Sequence, residues 1–175
     1  GGYARARFEN GTTGLYGLDE LAEEGKTGII WTNAIGHFDG KNSDYFHAPE
    51  WVATKCGNQV QEIWVPDPSP PPPPAQPDPP EPWGQTLWND CPKAELVKFI
   101  KTMFTQYGQD AALKYAYVTT FNAGEFFIPS HVYNYVSDPA NFPNGTNLTP
   151  QKLESYAKAI IDAWVEAVGA DKAVW

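Results

Sequence analysis

Two runs of apolar residues at helical spacing, each closed by glycine and followed by a short β-forming run, constrain this chain most. Over Lys93–Tyr107, Val97, Ile100, Phe104 and Tyr107 share one stripe while Lys98 and Lys101 face solvent. Gly108 closes this helix, and Tyr115–Phe121 then offers β-branched and aromatic residues suited to a pleated, half-buried surface. The second run, Gln151–Val168, aligns Leu153, Tyr156, Ile160, Ile161, Trp164 and Val168. Thr149 is a natural N-cap with Pro150 at the first helical position, Gly169 ends the helix, and 171–175 opens another strand. Trp164 sits on the apolar stripe and reads as core. An alternation of this kind calls for a parallel sheet with right-handed crossovers.

The earlier part of the chain continues the pattern. Tyr3–Phe8 is compatible with a strand, Asn10-Gly11 with a turn, and Leu15–Glu24 with a short helix stopped by Gly25. Thr27–Asn33 is near-continuously apolar, as buried parallel strands tend to be. Residues from about Ile35 to Pro92 form one long excursion, far beyond the ~12–15 residues at which loops become unusual. It holds a helical turn at Pro49–Ala53 and a strand-like run at Val60–Val65. From Pro66 to Trp83 proline density favours a stiff, solvated polyproline II spacer. Pro129–Pro150 reads as irregular. The order β-α-β-loop-α-β-α-β predicts an α/β fold, with about half of a TIM (β/α)8 barrel in one domain and a Pro-rich insertion at 66–83. A small doubly wound domain is the alternative, but no Gly-x-Gly-x-x-Gly follows the first strand.

The 175 residues are enough to bury a core, and 42% hydrophobic with 14% aromatic residues argues against disorder. A net charge of -9 speaks against nucleic acid or an anionic membrane as partner, because both require clustered Lys and Arg. No apolar run approaches the ~20 residues of a membrane span. The chain opens on Gly1-Gly2 and stops at Trp175 in the middle of a strand-like run, so both ends read as cuts through a longer protein. Cys56 and Cys91 bracket the Pro-rich segment; in an exported protein they can close it as a disulfide, and in the cytosol they stay reduced. Sequons at Asn10, Asn144 and Asn147 accept glycans only in a eukaryotic secretory pathway. The balance favours an extracellular or secreted protein.

Glu125 is the chemically suggestive residue. It follows the strand-like run and Asn122-Ala123-Gly124, with Phe126 and Phe127 behind it. A carboxyl at a strand's carboxyl end, walled by aromatics that raise its pKa, suits a general acid. The same residues also suit an exposed loop Glu that caps the next segment. His37, His47 and His131 lack metal-ligand spacing, and adjacent Ser130 and His131 do not suit a nucleophile–base pair.

The layout resembles the (β/α)8 glycoside hydrolases of the large retaining superfamily whose two carboxylates sit on the fourth and seventh strands. Arg5–Glu9, Gly14-Leu15-Tyr16, Leu18-Asp19 and Gly25-Lys26 resemble the second strand–helix segment of such enzymes. The strand ending near Asn33, with His37 and Asp39 beyond it, resembles the third, and Pro49-Glu50-Trp51 its following loop. Phe99-Ile100 through Tyr107-Gly108 resembles the third helix. The resemblance implies that Glu125 is the catalytic acid/base and that Asn122, His37, Asp39, Trp31 and Trp51 contact a carbohydrate substrate. It implies no metal and no cofactor. In the family an Asn usually precedes this Glu; here Gly124 does, with Asn122 two places earlier. The nucleophile, with the remainder of the barrel, is expected beyond Trp175, so this chain alone should be inactive. Two other readings stand beside it: a non-catalytic carbohydrate-binding or structural barrel, and an interaction module whose polyproline tract is the ligand.

Overall fold

The computed structural model describes residues 25, 27–31, 50–66, 81–118 and 128–174. The elements are β1 (Gly28–Trp31), α1 (Glu50–Cys56) with a 3-10 turn at Gly57–Gln59, β2 (Glu62–Val65), β3 (Glu81–Gln85) and α2 (Asp90–Gly108). They continue with β4 (Leu113–Tyr117), α3 (Ser130–Ser137), α4 (Pro150–Val168) and β5 (Ala173–Val174).

Strands β1, β4 and β5 form a parallel sheet in that order. Trp31 is in step with Tyr117, and Tyr117 with Val174. Backbone amides of Ala116 and Val118 donate to Lys172 and Val174 carbonyls at 2.8 Å. One face turns Ala116, Val118 and Ala173 into the core. The opposite face leaves Ile29 and Tyr117 exposed and Tyr115 half-buried.

Helices α2 and α4 lie side by side. Phe104 and Trp164 stack with ring centroids 4.5 Å apart, and Lys101 pairs with Glu166 at 2.6 Å. Gly108 brings the end of α2 onto the α4 backbone, where a Cβ would stand 2.3 Å from the Ala167 carbonyl oxygen. The Thr149 side chain accepts from the Lys152 amide at 3.2 Å, capping α4 as its sequence predicts. Tyr156, Ile160, Trp164 and Val168 are buried; Leu153 and Ile161 are half-buried.

The half-barrel expectation is overturned. Among the described residues the strands make two small separate sheets, one of three parallel strands and one antiparallel pair, β2 with β3. The pairing of β1, β4 and β5 is parallel, but the elements between them do not alternate strand with helix, and the strands are 4, 5 and 2 residues long. The physical reason lies in the long excursion. Ile63, Val65 and Trp83 are apolar on one side of a hairpin and enter the same core as Ile100 and Phe104. A hairpin of its own satisfies their backbone groups without joining the parallel sheet. Gly84, at a φ of 96°, supplies the irregular turn that this pairing needs within β3.

Three boundaries also shift. Residues 81–83 belong to β3, and Trp83 is buried, so the solvated spacer ends before Glu81. β4 starts at Leu113 and ends at Tyr117, earlier than the run Tyr115–Phe121. The stretch read as irregular contains α3, whose Val132 and Val136 are buried one turn apart. Its Val, Tyr and His content has low helix propensity; packing supplies the stability instead. The strand at 3–8 and the helix at 15–24 lie outside the described residues.

Cys56 and Cys91 form a disulfide across 35 positions, joining the end of α1 to the first turn of α2. By loop-closure entropy such a bridge is worth about 4 kcal/mol.

Candidate functional site at the carboxyl ends of the parallel strands

Because β1, β4 and β5 run the same way and in step, their carboxyl ends share one edge of the sheet. In α/β proteins that edge is where ligands bind, since loops leaving it are free to vary over a rigid base. Trp31 and Tyr117, on neighbouring strands, are about 5 Å apart along the hydrogen-bonding direction. From Trp31 the chain runs on through residues 32–49, which contain His37 and Asp39. From Val118 it runs on through 119–127, which contain Asn122 and Glu125. His37 is six positions past Trp31 and Glu125 seven past Val118, so each lies within ~25 Å of the edge by chain length alone.

His37, Asp39, Asn122 and Glu125 themselves lie outside the described residues. Trp31 ends β1 in step with Tyr117, and its side chain also lies outside the described residues. Trp51 is on the first turn of α1 and 56% exposed. The described structure therefore relates the segments that carry these residues to one sheet edge, and does not bring the side chains together.

Two arrangements escaped the sequence. Trp64 is 43% exposed on the outer face of β2, and its indole N–H donates to Glu62 Oε2 at 2.9 Å. The period-2 pattern of β2 puts both residues outward, which is the available signal within the run read as strand-like at Val60–Val65. The ring is thereby held in one orientation with a face open to solvent.

The other is a polar brace between the hairpin, α2 and α4. Thr86 Oγ1 accepts from the Gln61 amide and donates to the Gln59 carbonyl, at 2.9 and 2.8 Å. Asn89 Nδ2 donates to the same Gln59 carbonyl at 2.9 Å, and Gln59 Oε1 receives the Cys91 amide at 3.0 Å. The Trp88 indole N–H donates to the Thr146 carbonyl at 2.9 Å. The Lys152 ammonium donates to Asn89 Oδ1 at 2.8 Å, to the Asn147 carbonyl at 2.9 Å and to the Gly145 carbonyl. Desolvation lowers the Lys152 pKa, opposed by nearby Asp90 and aided by Lys93. With all three donors directed at protein oxygens, Lys152 is a brace and not a nucleophile. The participants are scattered over nearly a hundred positions, so no local pattern announces them.

Ser130 and His131 open α3 on its exposed side, with the His131 ring 6.0 Å edge-on from Trp83. Among the described residues no three His, Cys, Asp or Glu side chains gather as a metal centre requires, and no helix is long and apolar enough to cross a membrane. Of the sequons, Asn144 is exposed, while Asn147 donates through Nδ2 to the Ser137 carbonyl at 2.9 Å. Comparison with protein-family models, curated proteins and solved structures finds no match to this chain.

Proposed function

We propose that this chain contributes a carbohydrate-cleaving site in which Glu125 is the acid/base. The observation that supports it is the in-step parallel pairing of β1 with β4, which starts the His37–Asp39 and Asn122–Glu125 segments from neighbouring points. In this reading the Glu125 carboxyl, kept protonated beside Phe126 and Phe127, gives its proton to the leaving glycosidic oxygen. A second carboxylate attacks the anomeric carbon, and a spacing of ~5–5.5 Å between the two favours retention of configuration. Asn122, His37 and Asp39 hydrogen-bond sugar hydroxyls, and Trp51 offers a stacking face. The net charge of -9 suits a neutral substrate, and the Cys56–Cys91 disulfide suits an oxidising, extracellular setting.

The test is Glu125→Gln in the protein that carries this chain, assayed on a panel of polysaccharides. Hydrolysis is expected to fall by about 10²–10⁴ while polysaccharide binding is kept. Unchanged hydrolysis in the Gln variant overturns the assignment. A second reading, sugar binding without cleavage, is favoured by the exposed rings of Trp51 and Trp64. It predicts that Trp51→Ala and Trp64→Ala weaken retention on polysaccharide while Glu125→Gln changes nothing.

A further inference from the structure

The elements that the Cys56–Cys91 bridge joins and encloses are not held alike. The hairpin has its own attachments: Ile63, Val65 and Trp83 lie in the main core, hydrogen bonds among Gln59, Gln61, Thr86 and the helix-capping Asn89 close its base, and Gln59 Oε1 accepts from the Cys91 amide of α2. None of these contacts requires the disulfide. α1 is different. It has seven residues, too few for a helix to persist unaided in water. Only Val52 and Cys56 of its side chains are buried. Beyond those, its polar and covalent ties among the described residues are the Lys55–Glu95 ion pair at 2.5 Å and the disulfide itself. Lys55 is 54% exposed and Glu95 12% exposed in that pair, so solvent screens it from the ammonium side.

We infer that the Cys56–Cys91 bridge is a redox-releasable clamp for α1, so that a dithiol reductant frees α1 and Trp51 while hairpin, α2 and core stay folded. Cys91 is half-buried and Cys56 buried, so Cys91 is the more accessible end of the bridge. A thiolate of the reductant attacks it, the S–S bond breaks, and Cys56 leaves as thiolate and takes up a proton. The second thiol of the reductant then displaces Cys91 from the mixed disulfide. Two electrons and two protons have passed to the protein, and the reductant leaves as its own disulfide. Because Trp51 rides on α1, release also removes an exposed ring from the surface that the proposed function assigns to sugar; this consequence rests on that proposal, and the release itself does not.

Hydrogen exchange resolved to peptides, on the folded protein with and without dithiothreitol, tests the clamp. The expected result is exchange faster by about 30-fold or more over residues 50–56, with residues 81–89 and 150–168 unchanged. Undiminished protection of 50–56 after confirmed reduction overturns the inference. So does loss of protection throughout, which makes the bridge a support of the whole fold. A Cys56→Ser, Cys91→Ser variant should reproduce the reduced pattern without reductant. Polysaccharide retention, compared between oxidised and reduced protein, is read separately: unchanged retention with α1 released refutes a role of Trp51 in sugar binding and leaves the clamp standing.

Discussion

The close approach of α2 to α4 makes Gly108→Ala the most decisive substitution. A Cβ at this position stands 2.3 Å from the Ala167 carbonyl oxygen, 2.9 Å from Val168 Cα and 3.2 Å from the Ala167 carbonyl carbon. Ordinary contact between such atoms is about 3.5 Å, so the helices must part by roughly 1 Å. All three atoms are backbone, and no rotamer change relieves them. Separation is resisted by ties across the same seam: the Phe104–Trp164 stack, the Lys101–Glu166 pair, and Lys172 Nζ donating to the Gly108 and Asp110 carbonyls at 2.7 and 3.0 Å. Overpacking of this kind costs about 1–3 kcal/mol. Alanine's better helix propensity returns up to about 1 kcal/mol in a helix interior, and less at the last residue of α2. The expected net loss is about 2 kcal/mol, or a melting point lower by roughly 4–8 °C for a chain of this size. Urea unfolding followed by tryptophan fluorescence reads it directly, since Trp164 lies at the seam. Adding Ala167→Gly should restore nothing, because the clash is with backbone. A Gly108→Ala protein within about 0.5 kcal/mol of the parent, or rescue by Ala167→Gly, refutes the reasoning.

Lys152→Met removes the donor shared by Asn89, Asn147 and Gly145, and should lower stability by about 2–3 kcal/mol in urea unfolding; a change under about 0.5 kcal/mol means the brace carries nothing. Tyr156 is fully buried, and burial pushes its phenol far above the ordinary value near 10. The unfolded chain therefore releases this proton near pH 10 while the folded chain keeps it, so stability falls as pH rises past 10. Tyr156→Phe should flatten that fall by up to about 1.4 kcal/mol per pH unit, and identical slopes in parent and variant exclude Tyr156 as the source.

Local chemistry carried much of the architecture on its face. The apolar stripe of 151–168, the Thr149–Pro150 start and the Gly169 stop define α4 before any partner is known, because periodicity and capping are properties of a few neighbouring residues. The strand-like run at 27–33 is likewise visible, and β1 occupies Gly28–Trp31 within it. The short helix α3 was not legible, since Val132, Tyr133 and Val136 favour strands by themselves and become helical only by packing. Of the candidate site, sequence supplied the residue types at 31, 37, 39, 51, 122 and 125; the described fold adds only that two of the segments depart from one edge.

What the sequence determined by itself is the two long amphipathic helices, with both ends of α4, and the approximate places of β1 and β4. How many strands join one sheet is a matter of long-range pairing, which local preference does not encode. Tertiary structure decided that β2 and β3 pair with each other and that their apolar face shares a core with α2. It also decided that Cys56 meets Cys91, and that Lys152 reaches Asn89, 63 positions earlier. Each of these depends on contacts between residues tens of positions apart, whose energy exists only once the chain has closed on itself.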